Sequence, residues 1–277
     1  MIQVSQLHFS YKKQTVLSGI DIEFRPGTVY GLLGENGVGK TTLLKIICGL
    51  LPCKKGSCKI DGEESFKRLP SVLSNIAYLP DTPAIADAVT PQEYIDQLAP
   101  FYPNYAPSAF LHLMQELDVE PDRKFAAMSF GQKKKSLIAT TLSLGTEYIL
   151  FDEPTNGLDI PSKSQFRKIL ANAVQPNTTI IIATHQVKDM ENLLDPVVIL
   201  DKQEVLLNAS IEQIGQKLAF DFSSAADPDA LFTETYPNGF LNVLPNIDHH
   251  DSAVNIEALF NTVLHNRQLI KQMFGQQ

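Results

Sequence analysis

Nine consecutive residues, Gly34-Glu35-Asn36-Gly37-Val38-Gly39-Lys40-Thr41-Thr42, satisfy the pattern G-x-x-x-x-G-K-[ST] at every position. Gly34, Gly37 and Gly39 let the backbone curl so that several N–H groups point inward, and the helix that follows would add the positive end of its dipole. Such a turn is a cradle for phosphate. In it Lys40 reaches the β- and γ-phosphates and the Thr41 hydroxyl sits on Mg²⁺, with the whole stretch from Gly34 to Thr42 as the nucleotide-binding set. ATP or GTP, with Mg²⁺, is therefore the expected ligand.

Phosphoryl transfer further needs a metal carboxylate, a group that orients water and a donor for the γ-phosphate. Tyr148-Ile149-Leu150-Phe151-Asp152-Glu153 is an apolar run that ends in two acids. A strand buried on both faces does not end in paired carboxylates without a cation or a reaction to serve. Asp152 is the expected Mg²⁺ ligand, and Glu153 the residue that orients or deprotonates the attacking water. His185 directly follows the apolar run from Ile180 to Thr184, at the end of a strand where α/β sheets bind ligands, and is read as a γ-phosphate or water contact.

These side chains need a frame. Thr28 to Leu33 reads as a buried strand ahead of the cradle, and Thr42 to Cys48 as an apolar helix after it, closed by Gly49 and stopped by Pro52. Ile2 to Phe9 and Val16 to Phe24 alternate as paired strands, and Ser57 to Ile60 runs into an Asp61-Gly62 turn. Ile76 to Leu79 is a further strand, and Pro80 and Pro83 make the segment after it a stiff loop. Thr90-Pro91-Gln92-Glu93 combines an N-cap, proline in the first turn and a glutamate to close a capping box, and Phe110, Leu113, Met114 and Leu117 recur at helical spacing.

Residues from about 90 to 145 thus read as a helical insertion. Beyond it come strands at Tyr148 to Phe151, Thr178 to Ala183, Val197 to Leu200 and Glu204 to Leu207, with helices near Ser162 to Ala173 and Gln186 to Leu194. The pattern implies an α/β fold with a mostly parallel core sheet, an N-terminal antiparallel β subdomain, an inserted helical subdomain and a small C-terminal α+β appendage. The expected domains are 1–219 and 220–277. In the second, Gly239 to Leu244 reads as a strand and Asn255 to Met273 as one amphipathic helix docked on the main body or on a second copy.

The 277 residues carry 44% hydrophobic and 19% charged side chains, ordinary globular values that allow a substantial core. The net charge of −8 lies in the second half: residues 1–138 hold 15 Lys+Arg against 14 Asp+Glu, leaving 8 against 17 for 139–277. That balance argues against a duplex nucleic-acid partner, which needs a basic face, and Lys133-Lys134-Lys135 reads as a solvated helix face. Cys48, Cys53 and Cys58 match no zinc spacing and suit a reducing setting, while Asp248-His249-His250-Asp251 reads as a solvated loop. No secretory signal and no apolar run long enough to span a bilayer is visible, so a membrane role requires another chain to do the spanning.

Met128-Ser129-Phe130-Gly131-Gln132 resembles the Leu-Ser-Gly-Gly-Gln signature of ABC ATPases, with Met and Phe in place of Leu and the first Gly. Alone it could be a helix cap. In the order cradle, insertion, signature, Asp-Glu strand, Gly157-Leu158-Asp159 and histidine, residues 1 to about 217 resemble an ABC transporter ATP-binding subunit. The resemblance implies that Tyr11 stacks on adenine, that Asp159 is the D-loop aspartate and that His185 is the switch histidine. Two copies would pair head to tail, with Ser129, Gly131 and Gln132 of one closing over the nucleotide of the other. Asp81 stands where the family carries its Q-loop glutamine and could still reach Mg²⁺, while residues 81–90 would face a transmembrane permease. The implied role is peripheral, at the cytoplasmic face of the cell membrane, powering a separate permease, an exporter. The alternatives are a soluble ABC-type ATPase acting on ribosomes or DNA, or a slow regulatory nucleotide-binding module.

Overall fold

The computed structural model describes residues 1–190, 193–247 and 252–275; the segment Asp248-His249-His250-Asp251 lies outside them. Ile2–Tyr11 (β1) and Gln14–Phe24 (β2) pair antiparallel, with Ile2 opposite Phe24. Ile2 and Val4 are buried, then Leu7 and Phe9, so the alternation changes phase at a bulge around Gln6, whose φ is 45°. Thr28–Leu33 (β3) leads into the glycine loop, and Lys40–Ile47 (α1) comes next and closes at Gly49. Lys55–Ile60 (β4) pairs with the free edge of β1 and turns through Asp61-Gly62 into Glu63–Glu64 (β5).

Pro70–Leu73 (α2) and Ile76–Leu79 (β6) precede the helical insertion of Pro91–Leu98 (α3), Pro107–Glu116 (α4) and Phe130–Ser143 (α5). Thr90 and Glu93 do form the capping box at the start of α3. Phe110, Met114, Leu117 and Phe125 fill the apolar interior of this insertion. Tyr148–Asp152 (β7), Ile160–Ala173 (α6), Thr179–Thr184 (β8), Val197–Asp201 (β9) and Glu204–Ala209 (β10) complete the core. Its six strands lie in the order β10-β9-β3-β8-β7-β6, parallel except for β10.

Successive residues of these strands face opposite layers. Val29, Leu33, Ile149, Phe151, Ile180 and Ile182 enter the cluster under the helical insertion, while Tyr30, Leu32, Leu150, Ile181 and Ala183 meet α1 and the N-terminal sheet. Burial on both faces is why these segments read as unbroken apolar runs. The register sets Leu33 beside Thr184, Asp152 beside Ala183 and Leu79 beside Phe151, so the loops that leave β3, β6, β7 and β8 all emerge at one sheet edge.

Two expected helices differ. Near 186–194 the described residues hold only a one-turn 3₁₀ helix, Val187–Asp189, and residues 191–192 lie outside the description. Pro196 disfavours helix at Asp195, whose N–H is instead bonded to the Val29 carbonyl. At the C-terminus one amphipathic helix is two, Ile256–His265 and Arg267–Phe274, because the Asn266 side chain donates to the Leu231 and Thr262 carbonyls and its backbone leaves the helical range.

Ahead of those helices come Ile211–Lys217 (α7), Leu218–Ser223 (β11), Phe232–Tyr236 (β12) and Gly239–Pro245 (β13), the last three forming an antiparallel sheet ordered β11-β13-β12. The helices 256–265 (α8) and 267–274 (α9) then return to the core. Val243, Ile256, Leu259, Val263 and Ile270 share one apolar cluster with Ile199 and Leu207. Arg267 pairs with Asp201, and Lys271 with Glu204 at 2.8 Å. Among the described residues no helix is long and apolar enough to cross a membrane.

Candidate functional site

The loop after β3 is shaped by close backbone approach. A Cβ on Gly34 would stand 2.6 Å from the Leu200 carbonyl oxygen, and one on Gly39, whose φ is 116°, would stand 2.8 Å from Leu17. Lys40, at the first turn of α1, is buried and donates to the Gly34 carbonyl at 2.6 Å and the Glu35 carbonyl at 3.2 Å. Burial pushes its pKa down, opposed by Glu153 and Asp152. Thr41 Oγ1 donates to Asp152 Oδ2 at 2.7 Å, joining the start of α1 to the end of β7.

Ten of the expected residues line a single cavity of about 390 Å³: Tyr11, Asn36, Gly37, Gly39, Lys40, Thr41, Thr42, Asp81, Asp152 and Glu153, with Gln14 and Val16 beside them. Gly34, Glu35 and Val38 complete the loop behind this wall. Tyr11 stands half-exposed at the rim, its ring edge-on to Phe9 at 4.9 Å between centroids.

Glu153 is the most heavily held side chain. Its backbone sits at φ 48°, unusual for a residue with a Cβ, and its N–H bonds to the Ala183 carbonyl. Oε1 accepts from His185 Nδ1 at 2.7 Å and from the His185 backbone N–H at 3.1 Å; Oε2 accepts from Thr184 Oγ1 at 3.0 Å; Lys40 Nζ lies 3.8 Å away. Because a carboxylate can only accept, His185 carries its proton on Nδ1, which leaves Nε2 as an acceptor.

Asp152 is 2% exposed, and burial drives its carboxyl above the usual range, the Thr41 bond opposing and Glu153 and Asp81 adding to the rise. Among the described residues no three His, Cys, Asp or Glu side chains are arranged around one metal position. A hydroxyl and one carboxylate, Thr41 and Asp152, nevertheless suit Mg²⁺, which keeps several waters and takes its remaining oxygens from phosphate. A buried acid whose ionisation is penalised is the group a divalent cation would relieve.

Ser129, Gly131, Gln132 and Asp159 stand apart from the cavity. Ser129 caps α5, with its Oγ accepting from the Gln132 N–H and the Gln132 side chain accepting from the Ser129 N–H. Asp159 caps α6 through the Ser162 N–H. These two helix starts abut, since a Cβ on Gly131 would lie 3.2 Å from the Gly157 carbonyl oxygen and the Phe130 ring covers Gly157.

Sequence reasoning missed a set of polar contacts behind the cavity, and it misplaced one of the three lysines. Lys133 pairs with Asp87, but Lys134 is only 2% exposed and donates to the Asp81 carbonyl at 3.0 Å. The signal was present: Lys134, Ile138 and Thr141 fall at i, i+4 and i+7, one buried stripe of α5. Asn156 Nδ2 donates to Asp81 Oδ1 at 3.1 Å, and Gln186 Nε2 to Asn156 Oδ1 at 2.9 Å.

The ABC transporter family pattern matches residues 17–156. The chain is 27% identical over 227 residues to the ABC transporter ATP-binding protein YtrB of Bacillus subtilis, covering 80% of this chain and 77% of that one. It is 30% identical over 209 residues to the bacitracin transport ATP-binding protein BcrA of Bacillus licheniformis, covering 74% and 68%. Over 212 residues it is 28% identical to the lantibiotic transport ATP-binding protein SrtF of Streptococcus pyogenes, covering 75% and 90%. Among solved structures, an ATP-binding subunit of an ABC transporter superposes with a TM-score of 0.71 at 25% identity, over 77% of this chain and 91% of that one. The dimeric structure of MJ0796, a bacterial ABC transporter cassette, shares the fold with a TM-score of 0.68 at 20% identity, over 76% and 98%. With its glycine loop, acid-ended strand and family match in agreement, the chain belongs to the ABC transporter family and is an ATP-binding ATPase subunit of such a transporter.

Proposed function

We propose that two copies of this chain bind MgATP between them, head to tail, and that its hydrolysis drives a separate transmembrane permease at the cytoplasmic face of the membrane in the direction of export. The observation that carries the chemistry is the Glu153 carboxylate, fixed by His185 and Thr184 at the mouth of the Thr41–Asp152 pair. Thr41 and Asp152 would hold Mg²⁺, which when bound neutralises the β- and γ-phosphate oxygens. Lys40 exchanges its loop carbonyls for those oxygens. Glu153 orients the attacking water and accepts its proton, while His185 holds Glu153 through Nδ1 and leaves Nε2 to accept from a water.

Ser129 and Gly131 do not line the cavity of their own copy, and the hydroxyl and helix start they present suit the γ-phosphate of a second copy. A transport role is supported by the likeness to bacitracin and lantibiotic transport ATP-binding proteins. An apolar groove of about 470 Å³ lined by Leu50, Leu73, Tyr78, Leu98, Phe101 and Tyr102 supports a permease segment as its occupant.

Glu153→Gln tests the chemistry. The variant should bind ATP, remain as a nucleotide-bound dimer in size-exclusion chromatography and hydrolyse about 10²- to 10⁴-fold more slowly. Wild-type turnover would remove Glu153 from this role. Purification from detergent-solubilised membranes should bring down a membrane-spanning partner; a ribosome in its place would favour the soluble alternative.

A further inference from the structure

Lys134 is a cation sealed inside the protein on the second turn of α5, the helix that begins at the signature. Its ammonium donates to the Asp81 carbonyl at 3.0 Å and stands 3.8 Å from Asp81 Oδ1. The same Oδ1 accepts from Asn156 at 3.1 Å, and Asn156 is held in turn by Gln186, one residue beyond His185. Asp81 lies between Pro80 and Pro83 in the stiff loop after β6 and lines the nucleotide cavity. Loops leaving β6, β7 and β8 are thereby tied together, with the helix behind the signature as the fourth member.

Burial of an ammonium is tolerated only beside an anion, and removing one partner of such a pair leaves the other charge uncompensated. Asp81 is the acid in contact with Lys134; Asp152 and Glu153 act on it from farther away. The two ends of the pair are unequal, since the Lys134 side chain is 2% exposed and that of Asp81 is 46% exposed. Asp81 can turn to water when its partner is lost. Lys134 cannot.

We infer that Lys134 is a positioning residue that fixes Asp81 in the nucleotide cavity, so that the two form one charge pair joining the signature helix to the site of hydrolysis. The inference rests on the cavity being the ATP site. It also sets a consequence for the departure from the family pattern: returning Asp81 to glutamine by itself strands Lys134, so the family residue is a poor substitute unless Lys134 is neutralised with it.

A double-mutant cycle of Asp81→Asn and Lys134→Met tests this, read by the Tm of the ligand-free protein and by kcat and KM for ATP. Asp81→Asn should lower Tm more than Lys134→Met, and the double variant should recover at least half of that loss. If Asp81→Asn does not fold alone, folding of the double variant is the same recovery. In hydrolysis Lys134→Met should lower kcat about tenfold with KM nearly unchanged, and should cost nothing further in the Asp81→Asn background. Tm losses that simply add, a double variant that fails to fold, or an undiminished kcat effect of Lys134→Met in that background would overturn the inference. Absence of hydrolysis in the wild type would instead count against the ATPase reading, and the Tm cycle would still report on the pair.

Discussion

The acid that would carry Mg²⁺ is also a source of instability in the ligand-free protein. Burial raises the Asp152 pKa above its ordinary 3.8, so the folded state holds that proton more tightly than the unfolded chain does. The contribution of Asp152 to stability is therefore fully present below 3.8 and is lost as the pH rises through the folded pKa. At neutral pH the buried carboxylate is a net cost. Asp152→Asn keeps an oxygen for Thr41 and removes the charge, so calorimetry of the ligand-free variant should show Tm raised by about 2–4 °C at pH 7, the shift that about 1 kcal/mol produces in a chain of this size. That gain should vanish toward pH 4, while MgATP should stabilise the wild type and not the variant. An equal gain at both pH values would show that the charge is not the cause. Glu153 is a parallel case, because a backbone at φ 48° persists only where its surroundings over-determine it, here through the donors on its carboxylate and the Ala183 carbonyl.

At the scale of elements, the start of α5 has two duties that mutation can separate. Ser129→Ala removes the capping box and should cost about 0.5–2 kcal/mol in urea unfolding. Ser129→Asp keeps a good cap and should retain stability, yet its charge would face the γ-phosphate of the second copy, so hydrolysis should fall while ATP binding to Lys40 and its loop persists. Full activity of Ser129→Asp would leave Ser129 with only its cap. This helix start was legible in the sequence, as were Thr90-Glu93 and the strands β3, β7 and β8, because caps are local chemistry and strands buried on both faces are unbroken apolar runs. The P-loop, Asp152, Glu153 and the histidine were legible for the same reason, since each sits next to the element that aims it. The features that escaped depend on distant partners. The buried Lys134 needs Asp81 from another loop, the break at Asn266 needs the Leu231 carbonyl, and β11 and β12 carry mixed, partly exposed residues whose pairing with β13 is decided by register between segments distant in the chain.

For the whole molecule, the apolar face of the C-terminal sheet and helices joins the core cluster beside β9 and β10. Leu259 is fully buried in the cluster that also contains Ile199, Leu207, Val187 and Met190. Val187 and Met190 come shortly after His185, and Lys188 between them pairs with Glu257 of α8 at 2.6 Å. The seat of His185 is thus braced by the C-terminal part of the chain. Leu259→Ala should destabilise the protein by about 2–5 kcal/mol through lost burial and the cavity left behind. Since the damaged cluster also holds Val187 and Met190 close to His185, loss of helical signal and loss of ATP binding should move together to lower urea as a single transition. An early, separate transition that unfolds residues 218–275 while ATP binding survives unchanged would show that the brace is only contact. A coincident shift would make the C-terminal unit part of the folding unit that holds His185 against Glu153, and thus part of what keeps the Glu153 carboxylate in place.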